Sequence, residues 1–366
     1  MRIIVIIICF LNVKITFITS IFSRGNMSFN QKVVALIAVN MLLAGSAWAE
    51  ENVLNLYSSR HYQTDEALYS NFTKATGIKI NRIEAGEDVL LERLKNEGAK
   101  SPADVLLTVD AGRLWRAEQM GLLQAAQSEI LLQRIAPELR HPQGLWFSFS
   151  VRARPVFYNK ALVNPADIQD YENLADPRLK GKVCSRSGSH MYNLSLMSAM
   201  IANLGPVEAE KWGRGVVANF ARAPKGGDTD QIKAVAAGEC AIAIANTYYY
   251  ARLAQSAKPD EREAAEKVGV IFPNQKNRGT HVNISGAGIA KNAPHRAAAI
   301  KFLEYLASDE AQRYFANGNN EYPVVGKADN AVLAMLGEFK RDPINVGLLG
   351  KNQAAAQMTM DRIGWK

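Results

Sequence analysis

The sequence predicts an α/β protein with two lobes. Short apolar segments alternate with amphipathic helical segments from Val53 to Gly121, a pattern typical of a parallel sheet covered by helices on both faces. The pattern changes near Leu145, and a second series of strand and helix signals follows. After an apolar leader, 317 residues remain, a length that suits two domains with separate cores.

Composition and charge narrow the functional classes. Apolar residues make up 48% of the chain and charged residues 21%, which is typical of a folded globular protein rather than a disordered one. The net charge of +8 falls to about +4 without the leader, because the leader carries four basic residues and no acidic one. No basic run of the kind that binds phosphate backbones is present, so we expect no nucleic-acid partner.

The first 49 residues read as a secretory leader. Lys32 precedes an apolar segment, and Ala47-Trp48-Ala49 has the small-x-small pattern of a cleavage site. We predict cleavage after Ala49 and export of the remaining chain. The alternative is a membrane helix, but the segment is short for one. Met27 begins a conventional signal peptide by itself, so residues 1–26 are interpreted as a candidate start-site error.

The first lobe is predicted element by element. An apolar segment from Val53 to Tyr57 predicts a strand. Thr64 is a candidate N-cap, and Gly77 ends a helix with apolar residues at helical spacing. Further signals follow in order: a strand around Ile78–Ile83, a helix over Val89–Asn96, a buried strand over Ala103–Val109, and a helix that ends at Gly121.

The second half of the chain begins with an extended stretch over Trp146–Tyr158. It is followed by a strand at Lys182–Ser185, a helix over Asn193–Leu204, and strands at Ala241–Ala245, Val268–Phe272 and His281–Ile289. Two extended stretches, near 146–158 and 279–289, are candidate crossovers of a hinge. We therefore divide the chain into a first lobe of 50–147 plus 274–320, a second lobe of 148–273, and a C-terminal helical segment of 321–366.

Two cysteines, Cys184 and Cys240, remain once the leader with Cys9 is removed. Disulfides persist in an exported protein, so these residues form either a disulfide or two buried thiols. Two thiolates alone cannot complete a tetrahedral metal site.

Three predicted loops that follow strands carry candidate ligands. Ligands of open parallel sheets bind at the carboxyl ends of the strands. The first loop offers His61 and Tyr62, the second offers Tyr192, and the third offers the run Tyr248–Tyr250. Together they provide phenols and an imidazole but few carboxylates.

This set of side chains favours a trivalent metal. A free tyrosine has a pKa near 10, so a phenol loses its proton to a metal only when the ion carries a high charge. Zinc would require Cys, His or carboxylate, and calcium would require carboxylates and carbonyls. Four phenolates around Fe³⁺ leave a net charge of −1, which Arg152, Arg154 and Arg252 could offset.

Other interpretations remain open at this stage. Tyrosines at the end of a strand also serve in packing or in stacking on an organic ligand. Ser187 and Ser189, which flank Gly188, form either an anion-binding nest or an ordinary helix cap. No order of Ser, His and Asp, no His-Glu-x-x-His motif and no paired acids indicate catalysis, so we expect no enzyme.

Several segments resemble the ferric-ion-binding substrate proteins of bacterial iron ABC transporters, and most closely their tyrosine-rich branch. They are SSRHYQTDEALYSNF, SPADVLLTVDAGRLWRAEQMGLLQ, SFSVRARPVFYNK, SRSGSHMYNLSL, GECAIAIANTYYYARL and NGNNEYPVV. The resemblance covers nearly all of residues 52–366 and implies a two-lobe periplasmic-binding-protein fold, similar to type II, with the ligand cleft between lobes joined by crossover strands.

The resemblance also implies roles for individual residues. The metal ligands of that branch fall on His61, Tyr62, Tyr192, Tyr248 and Tyr249. Tyr250 stands where relatives have another aromatic residue and is expected to pack. Arg152 and Arg154 match an arginine-bearing crossover that faces the site or its anion, with Arg252, Ser187 and Ser189 nearby. Asp110 lies close to the position of a carboxylate ligand in another branch. We expect it to contact the metal ligands at most and not to bind the metal itself.

The function implied is capture of Fe³⁺ in the periplasm and its delivery to the permease and ATPase subunits of an ABC transporter. Fe³⁺ is then cargo, a bound carbonate is not expected to be required, and the protein is expected to be a monomer. The alternative is a periplasmic binding protein for a small organic or phosphorylated solute, in which the tyrosines stack on the ligand and the two serines hold an anion.

Overall fold

The computed structural model describes residues 52–60, 62–328 and 330–366. The leader, its predicted cleavage after Ala49, and His61 lie outside the described residues. In the portion that is described, no helix is both long enough and apolar enough to cross a bilayer.

The described strands lie in two sheets. In chain order they are β1 (Val53–Ser58), β2 (Lys79–Glu84), β3 (Val105–Thr108), β4 (Leu123–Gln124), β5 (Phe147–Ala153), β6 (Val156–Asn159), β7 (Val183–Cys184), β8 (Ile242–Ile244), β9 (Val268–Ile271), β10 (Val282–Ala290) and β11 (Tyr322–Pro323).

The helices surround these sheets, and short 3-10 turns, five of them in the described part of the chain, connect some of the elements. In chain order the helices are α1 (Asp65–Thr76), α2 (Glu87–Glu97), α3 (Ala111–Gln119), α4 (Glu129–Arg134), α5 (Met191–Leu204), α6 (Pro206–Ala218), α7 (Asp228–Ala236), α8 (Thr247–Ala254), α9 (Pro259–Lys267), α10 (Arg296–Leu306), α11 (Asp309–Asn319), α12 (Ala331–Leu336), α13 (Gly347–Lys351) and α14 (Gln353–Ile363).

The larger sheet has the order β11-β5-β10-β3-β1-β2, and β4 pairs with β10. Strand β1 is parallel to β2 and β3, as expected for the first half of the chain. Strand β10, however, is antiparallel to both β3 and β5. The prediction of a parallel sheet is therefore wrong for this side of the sheet. The reason is that β10 carries the chain back from the second lobe and runs against β5, which carries it out.

The smaller sheet has the order β7-β8-β6-β9. Strands β7 and β8 are parallel, whereas β6 is antiparallel to β8 and β9. The stretch 146–158 divides into two strands, one in each sheet, at Arg154-Pro155. Proline has no N–H to continue a ladder, so the chain can change sheets there. The second crossover runs from β9 to β10. The two sheets form the two lobes, and the ends of these crossovers lie between them.

Each lobe has its own apolar core. The first contains Phe72, Trp146 and Phe302, and it covers both faces of the larger sheet. The second contains Trp212 and residues of the C-terminal helix α14, including Met360. Trp365 is 2% exposed and packs against Trp212 and Phe220, with ring centres 6.1 and 5.3 Å apart. The end of the chain thus stabilises the lobe that carries most of the tyrosines.

A disulfide joins Cys184 to Cys240, with their Cα atoms 5.8 Å apart. Cys184 is the last residue of β7, and Cys240 lies shortly before β8. The bond therefore links two neighbouring strands of the smaller sheet near the loop that precedes α5, and it resolves the alternative that the cysteine count left open.

Candidate functional site

Two tyrosines from different helices meet at one edge of the smaller sheet. Tyr192 is the second residue of α5, and Tyr248 is the second residue of α8. Their hydroxyl oxygens lie 2.8 Å apart, at hydrogen-bonding distance. Each helix follows one of the parallel strands β7 and β8, so their first turns lie at the same edge. Tyr248 is only 2% exposed.

Tyr249 completes a cluster of three phenol rings. Its ring centre lies 4.3 Å from that of Tyr248 and 6.5 Å from that of Tyr192. Tyr250 instead stacks on Phe157 at 5.6 Å and belongs to the apolar core, as its expected packing role requires. The run was expected in a loop, but it occupies the first turn of α8. On a helix, neighbouring residues point in different directions, which separates Tyr250 from the cluster.

The first lobe contributes Tyr62, which lies between β1 and α1. The guanidinium carbon of Arg60 is 4.9 Å from the centre of its ring. The guanidinium carbon of Arg252, an exposed residue of α8, is 5.8 Å from the Tyr62 ring and 5.1 Å from the Tyr248 ring. One cation therefore lies close to tyrosines of both lobes.

Arg152 on β5 is buried, and part of its guanidinium has no partner among the described residues. Its Nη2 donates to the carbonyl oxygens of Val109 and Ile284. Within residues 52–60, 62–328 and 330–366, its Nε and Nη1 have no hydrogen-bond partner. Burial alone would lower its pKa, but the combined charges of nearby groups, with Tyr248 and Glu321 foremost, outweigh burial and raise the pKa. Arg152 thus offers a buried positive charge to an anionic ligand set.

Arg154, two residues further along the crossover, has a different environment. Its Nη1 donates to Asp228 and to the side chain of Asn246, both at 2.9 Å, and its Nη2 donates to Asn193 at 2.7 Å. Asp228 balances its charge within the second lobe. Among the described residues, Nε of Arg154 also lacks a partner, but both of its terminal nitrogens are bound, whereas Arg152 has both Nε and Nη1 without a partner.

Burial governs the acidity of the phenols. It raises the pKa of Tyr192, Tyr248 and Tyr62 above the ordinary value near 10, and for each of them Arg152 partly opposes this effect. The phenols are therefore protonated at neutral pH unless a strong cation displaces the protons. A trivalent ion can do so because its charge acts on several phenols at once.

Polar groups of the loop before α5 bond to one another, and the Asn193 amide and the Trp365 indole donate to its oxygens. The hydroxyls of Ser187 and Ser189 lie 2.8 Å apart, and Ser187 Oγ accepts the Ser189 N–H at 3.3 Å. The helix cap is His190, whose Nδ1 accepts the Tyr192 N–H at 3.3 Å. Burial and the neighbouring Arg186 lower the pKa of His190 to about 4, so the imidazole is neutral at pH 7.

Asp110 has a local structural role. It caps α3, where Oδ1 accepts the Gly112 N–H at 2.8 Å, and its Oδ2 accepts from Asn283 at 2.7 Å. Among the described residues, no group of three or more His, Cys, Asp or Glu side chains could hold a metal ion. The cluster of phenols is thus distinct in kind from a zinc or calcium site.

Three charged residues of this region were not singled out from the sequence. Arg60 lies against Tyr62, and the Arg186 guanidinium carbon is 5.0 Å from the centre of the Tyr192 ring. Asp228 pairs with Arg154 and Arg186. The two arginines lie beside candidate ligand residues in the sequence, and this proximity could have identified them as part of the site. Asp228 lies far from them along the chain and has no local signal.

Comparison with known proteins agrees with this architecture. A family model described as a bacterial extracellular solute-binding protein matches residues 67–345. This chain belongs to that family. Iron uptake protein A2 of Synechocystis sp. is 53% identical to this solute-binding protein over 337 residues, which cover 91% of the chain and 95% of the relative.

Two further relatives extend the similarity. The Fe(3+)-binding periplasmic protein of Serratia marcescens is 28% identical to this solute-binding protein over 332 residues, which cover 89% of the chain and 96% of the relative. The Trichodesmium protein solved in complex with iron and citrate ligands has a TM-score of 0.83 and 56% identity, and the match covers 86% of this chain and 100% of that one. The two-lobe fold of periplasmic binding proteins is thereby confirmed.

Proposed function

We propose that this protein captures ferric iron in the periplasm and delivers it to the permease and ATPase subunits of an ABC transporter. The ligands are the phenolates of Tyr62, Tyr192, Tyr248 and Tyr249, with His61 as the imidazole. The sequence similarity to proteins that carry iron in their names supports this proposal.

The observation that carries the proposal is the cluster of phenols, in which Tyr248 is buried and Tyr192 and Tyr249 are half-buried. Tyr192 and Tyr248 share a hydrogen bond of 2.8 Å, and the Tyr249 ring lies 4.3 Å from that of Tyr248. Removing several hydroxyls from water side by side costs free energy unless they gain hydrogen bonds or a bound ion, because each phenol loses hydration. Hard, anionic oxygen donors are suited to Fe³⁺, which displaces their protons.

The local charge supports an anionic iron centre. Fe³⁺ with four phenolates and a neutral imidazole carries a net charge of −1. Arg152, with buried Nε and Nη1 that lack partners in the described part of the chain, can balance this charge. Arg252 lies within 5.8 Å of the ring centres of Tyr62, Tyr248 and Tyr249 and adds a second cation.

The same charge balance makes a bound carbonate unnecessary. Five protein ligands leave little coordination space, and a further anion would add negative charge to a buried cleft. Ser187 and Ser189, which could otherwise hold an anion, bond to each other. We therefore propose that binding occurs without a synergistic anion and that the carrier acts as a monomer, exported by its leader with cleavage after Ala49.

A visible spectrum of the purified, exported protein is the direct test. Phenolate-to-iron charge transfer absorbs visible light, whereas an organic or phosphorylated solute bound by the same tyrosines does not. We expect one equivalent of ferric iron to produce the absorption, with iron confirmed by metal analysis. A colourless protein that takes up no iron, or one that releases an organic solute on unfolding, would contradict the proposal.

A further inference from the structure

A buried carboxylate connects the two tyrosine-bearing helices of the second lobe. Asp228, the first residue of α7, is 0% exposed. Its Oδ2 accepts hydrogen bonds from Nη1 of Arg154 at 2.9 Å and from the backbone N–H of Asn246 at 2.8 Å. Its Oδ1 accepts from Nη1 of Arg186 at 3.2 Å. Asp228 thereby contacts the hinge crossover, the start of α8 and the loop before α5.

Two of these contacts lead directly to proposed ligands. Asn246 is the N-cap of α8, so Tyr248 follows it by two residues. Arg154, held by Asp228, donates to Oδ1 of Asn193 at 2.7 Å, and Asn193 follows Tyr192 in α5. The first turns of both helices are therefore fixed through one ion pair, which sets the distance between the Tyr192 and Tyr248 hydroxyls.

The same carboxylate holds two cations against Tyr192. The guanidinium carbons of Arg186 and Arg154 lie 5.0 and 5.6 Å from the centre of the Tyr192 ring. Cations near an aromatic ring are attracted to its face, and they also favour the deprotonated form of a phenol. Asp228 therefore determines both where these cations lie and how much of their charge the phenol experiences.

From this geometry we infer that Asp228 is a positioning residue of the ferric site, which fixes the spacing of Tyr192 and Tyr248 and the electrostatic environment of Tyr192 without binding the metal. The inference rests on the proposed function. The inference goes beyond the proposed ligand set, because Asp228 is far from the tyrosines in sequence and is not a candidate ligand.

A purely structural ion pair would behave differently in one measurable respect. Its loss would reduce the free energy of unfolding but leave the absorption spectrum of the folded, iron-loaded protein unchanged. Asp104 provides the matched control, since it is also 0% exposed and accepts the backbone N–H groups of Asn55 and His295, each at 2.7 Å. It lies in the first lobe and, among the described residues, contacts no proposed ligand.

The experiment compares Asp228→Asn with Asp104→Asn in ferric titrations and visible spectra of the full exported chain. Residues that orient metal ligands typically cost 10–100-fold in metal affinity when changed, so we expect Asp228→Asn to weaken iron binding at least about tenfold and to displace the absorption maximum. Asp104→Asn should keep the wild-type Kd and maximum. A folded Asp228→Asn variant with the wild-type Kd and spectrum would overturn the inference.

A second variant covers the case in which Asp228→Asn does not fold. Arg186→Gln removes one partner of Asp228, and this side chain is 13% exposed, so solvent can fill the space. We expect a displaced absorption maximum, and an unchanged spectrum and Kd would again overturn the inference. Wild-type protein that shows no visible absorption with ferric iron would instead refute the proposed function itself, so the two failures are distinguishable.

Discussion

The hydroxyl oxygens of Tyr192 and Tyr248 lie 2.8 Å apart although 56 positions separate them in the sequence. Two parallel strands, β7 and β8, deliver the helices on which they stand to one edge of the smaller sheet. Tyr192→Phe and Tyr248→Phe each remove one oxygen and keep the ring, so the packing of the cluster is preserved. The site therefore permits a substitution series that separates metal binding from folding.

The first prediction concerns the phenol ligands. Because loss of a residue that only orients a ligand costs 10–100-fold in affinity, loss of a ligand oxygen should cost more than about tenfold. We expect this for Tyr192→Phe, Tyr248→Phe and Tyr249→Phe in ferric titrations. Tyr250→Phe is the control, because Tyr250 stacks on Phe157 in the core and should bind iron like the wild type. Wild-type affinity in all three ligand variants would exclude the proposed site.

The second prediction concerns closure of the lobes. Tyr62 lies in the first lobe and His61 precedes it in the chain, so the loss of both should leave iron bound to the second-lobe tyrosines in a weaker and more open complex. Small-angle scattering with and without iron measures this for the double variant His61→Ala, Tyr62→Phe. We expect a coloured complex that compacts less than the wild type. Full compaction on iron binding would rule out the closing role.

The third prediction concerns pH and iron affinity. Burial raises the pKa of Tyr62, Tyr192 and Tyr248, so iron must displace their protons on binding. Affinity should therefore decrease as the pH falls, and proton release should be measurable in weakly buffered solution. A free imidazole ligand would add a loss near pH 6.5. The affinity is measured in competition with a chelator, whose own pH dependence is corrected for. A ferric affinity that stays constant between about pH 8 and 5 would argue against phenolate ligation.

The fourth prediction separates the two crossover arginines. Arg152 has unpartnered N–H groups near the tyrosines, so Arg152→Gln should weaken ferric binding by about tenfold with a small change in melting temperature. Arg154 is paired with the buried Asp228, and breaking such a pair costs about 3 kcal/mol of stability. Arg154→Gln should therefore lower the melting temperature of the apo protein clearly.

Titrations in carbonate-free buffer, beside thermal melts, test this prediction and the anion question together. We expect full binding of iron without bicarbonate. A strict bicarbonate requirement would indicate that one tyrosine is not a ligand and that an arginine holds the anion. Equal effects of the two substitutions on melting temperature would contradict the distinction between Arg152 and Arg154.

The fifth prediction concerns His281, whose Nε2 lies 3.0 Å from Ser195 Oγ in the hinge region. Burial, aided by the charge of Arg154, lowers its pKa from 6.5 to about 3. The unfolded chain therefore binds a proton that the folded state excludes, and stability falls as the pH drops below 6.5. At pH 5 the loss is about 2 kcal/mol.

Denaturant unfolding of the apo protein at pH 7.5 and 5 checks this. His281→Gln, which cannot be protonated, should show a smaller decrease in unfolding free energy between these two pH values. Identical pH dependence in the variant and the wild type would show that His281 is not responsible. His190, with a pKa of about 4, contributes in the same direction and remains in both proteins.

The sequence predicted the ends of helices well where the conformational preference of a single residue determines them. Gly77 adopts a φ of 72° directly after α1, as expected for a glycine that ends a helix. Thr64, in contrast, precedes α1 without a side-chain cap: its own backbone is helical, with φ −60° and ψ −28°, and its hydroxyl donates to Asn319 Oδ1 at 2.6 Å. The competing partner lies in α11, near the other end of the chain, and no local pattern indicates it.

The sequence did not predict the mixed strand directions of the larger sheet or the helical position of the tyrosines. Both depend on contacts between segments that lie far apart in the chain. Strand β8 ends at Ile244, and α8 begins at Thr247, so only two residues separate strand from helix. The run of three tyrosines has little helix preference by itself, and packing of Tyr250 on Phe157 favours the helical turn. The direction of β10 likewise depends on its partners β5 and β3 rather than on its own sequence.

The sequence by itself determined which chemical groups the site contains: several phenols, an imidazole and nearby arginines, with few carboxylates. Tertiary structure alone decided how the charges are paired. It left buried donors of Arg152 without partners in the described chain, and it neutralised Arg154 with Asp228, which is 74 positions away. The physical reason is that pairing of buried charges depends on which strands and helices meet in space, whereas the residue pattern along one segment carries only its local preferences.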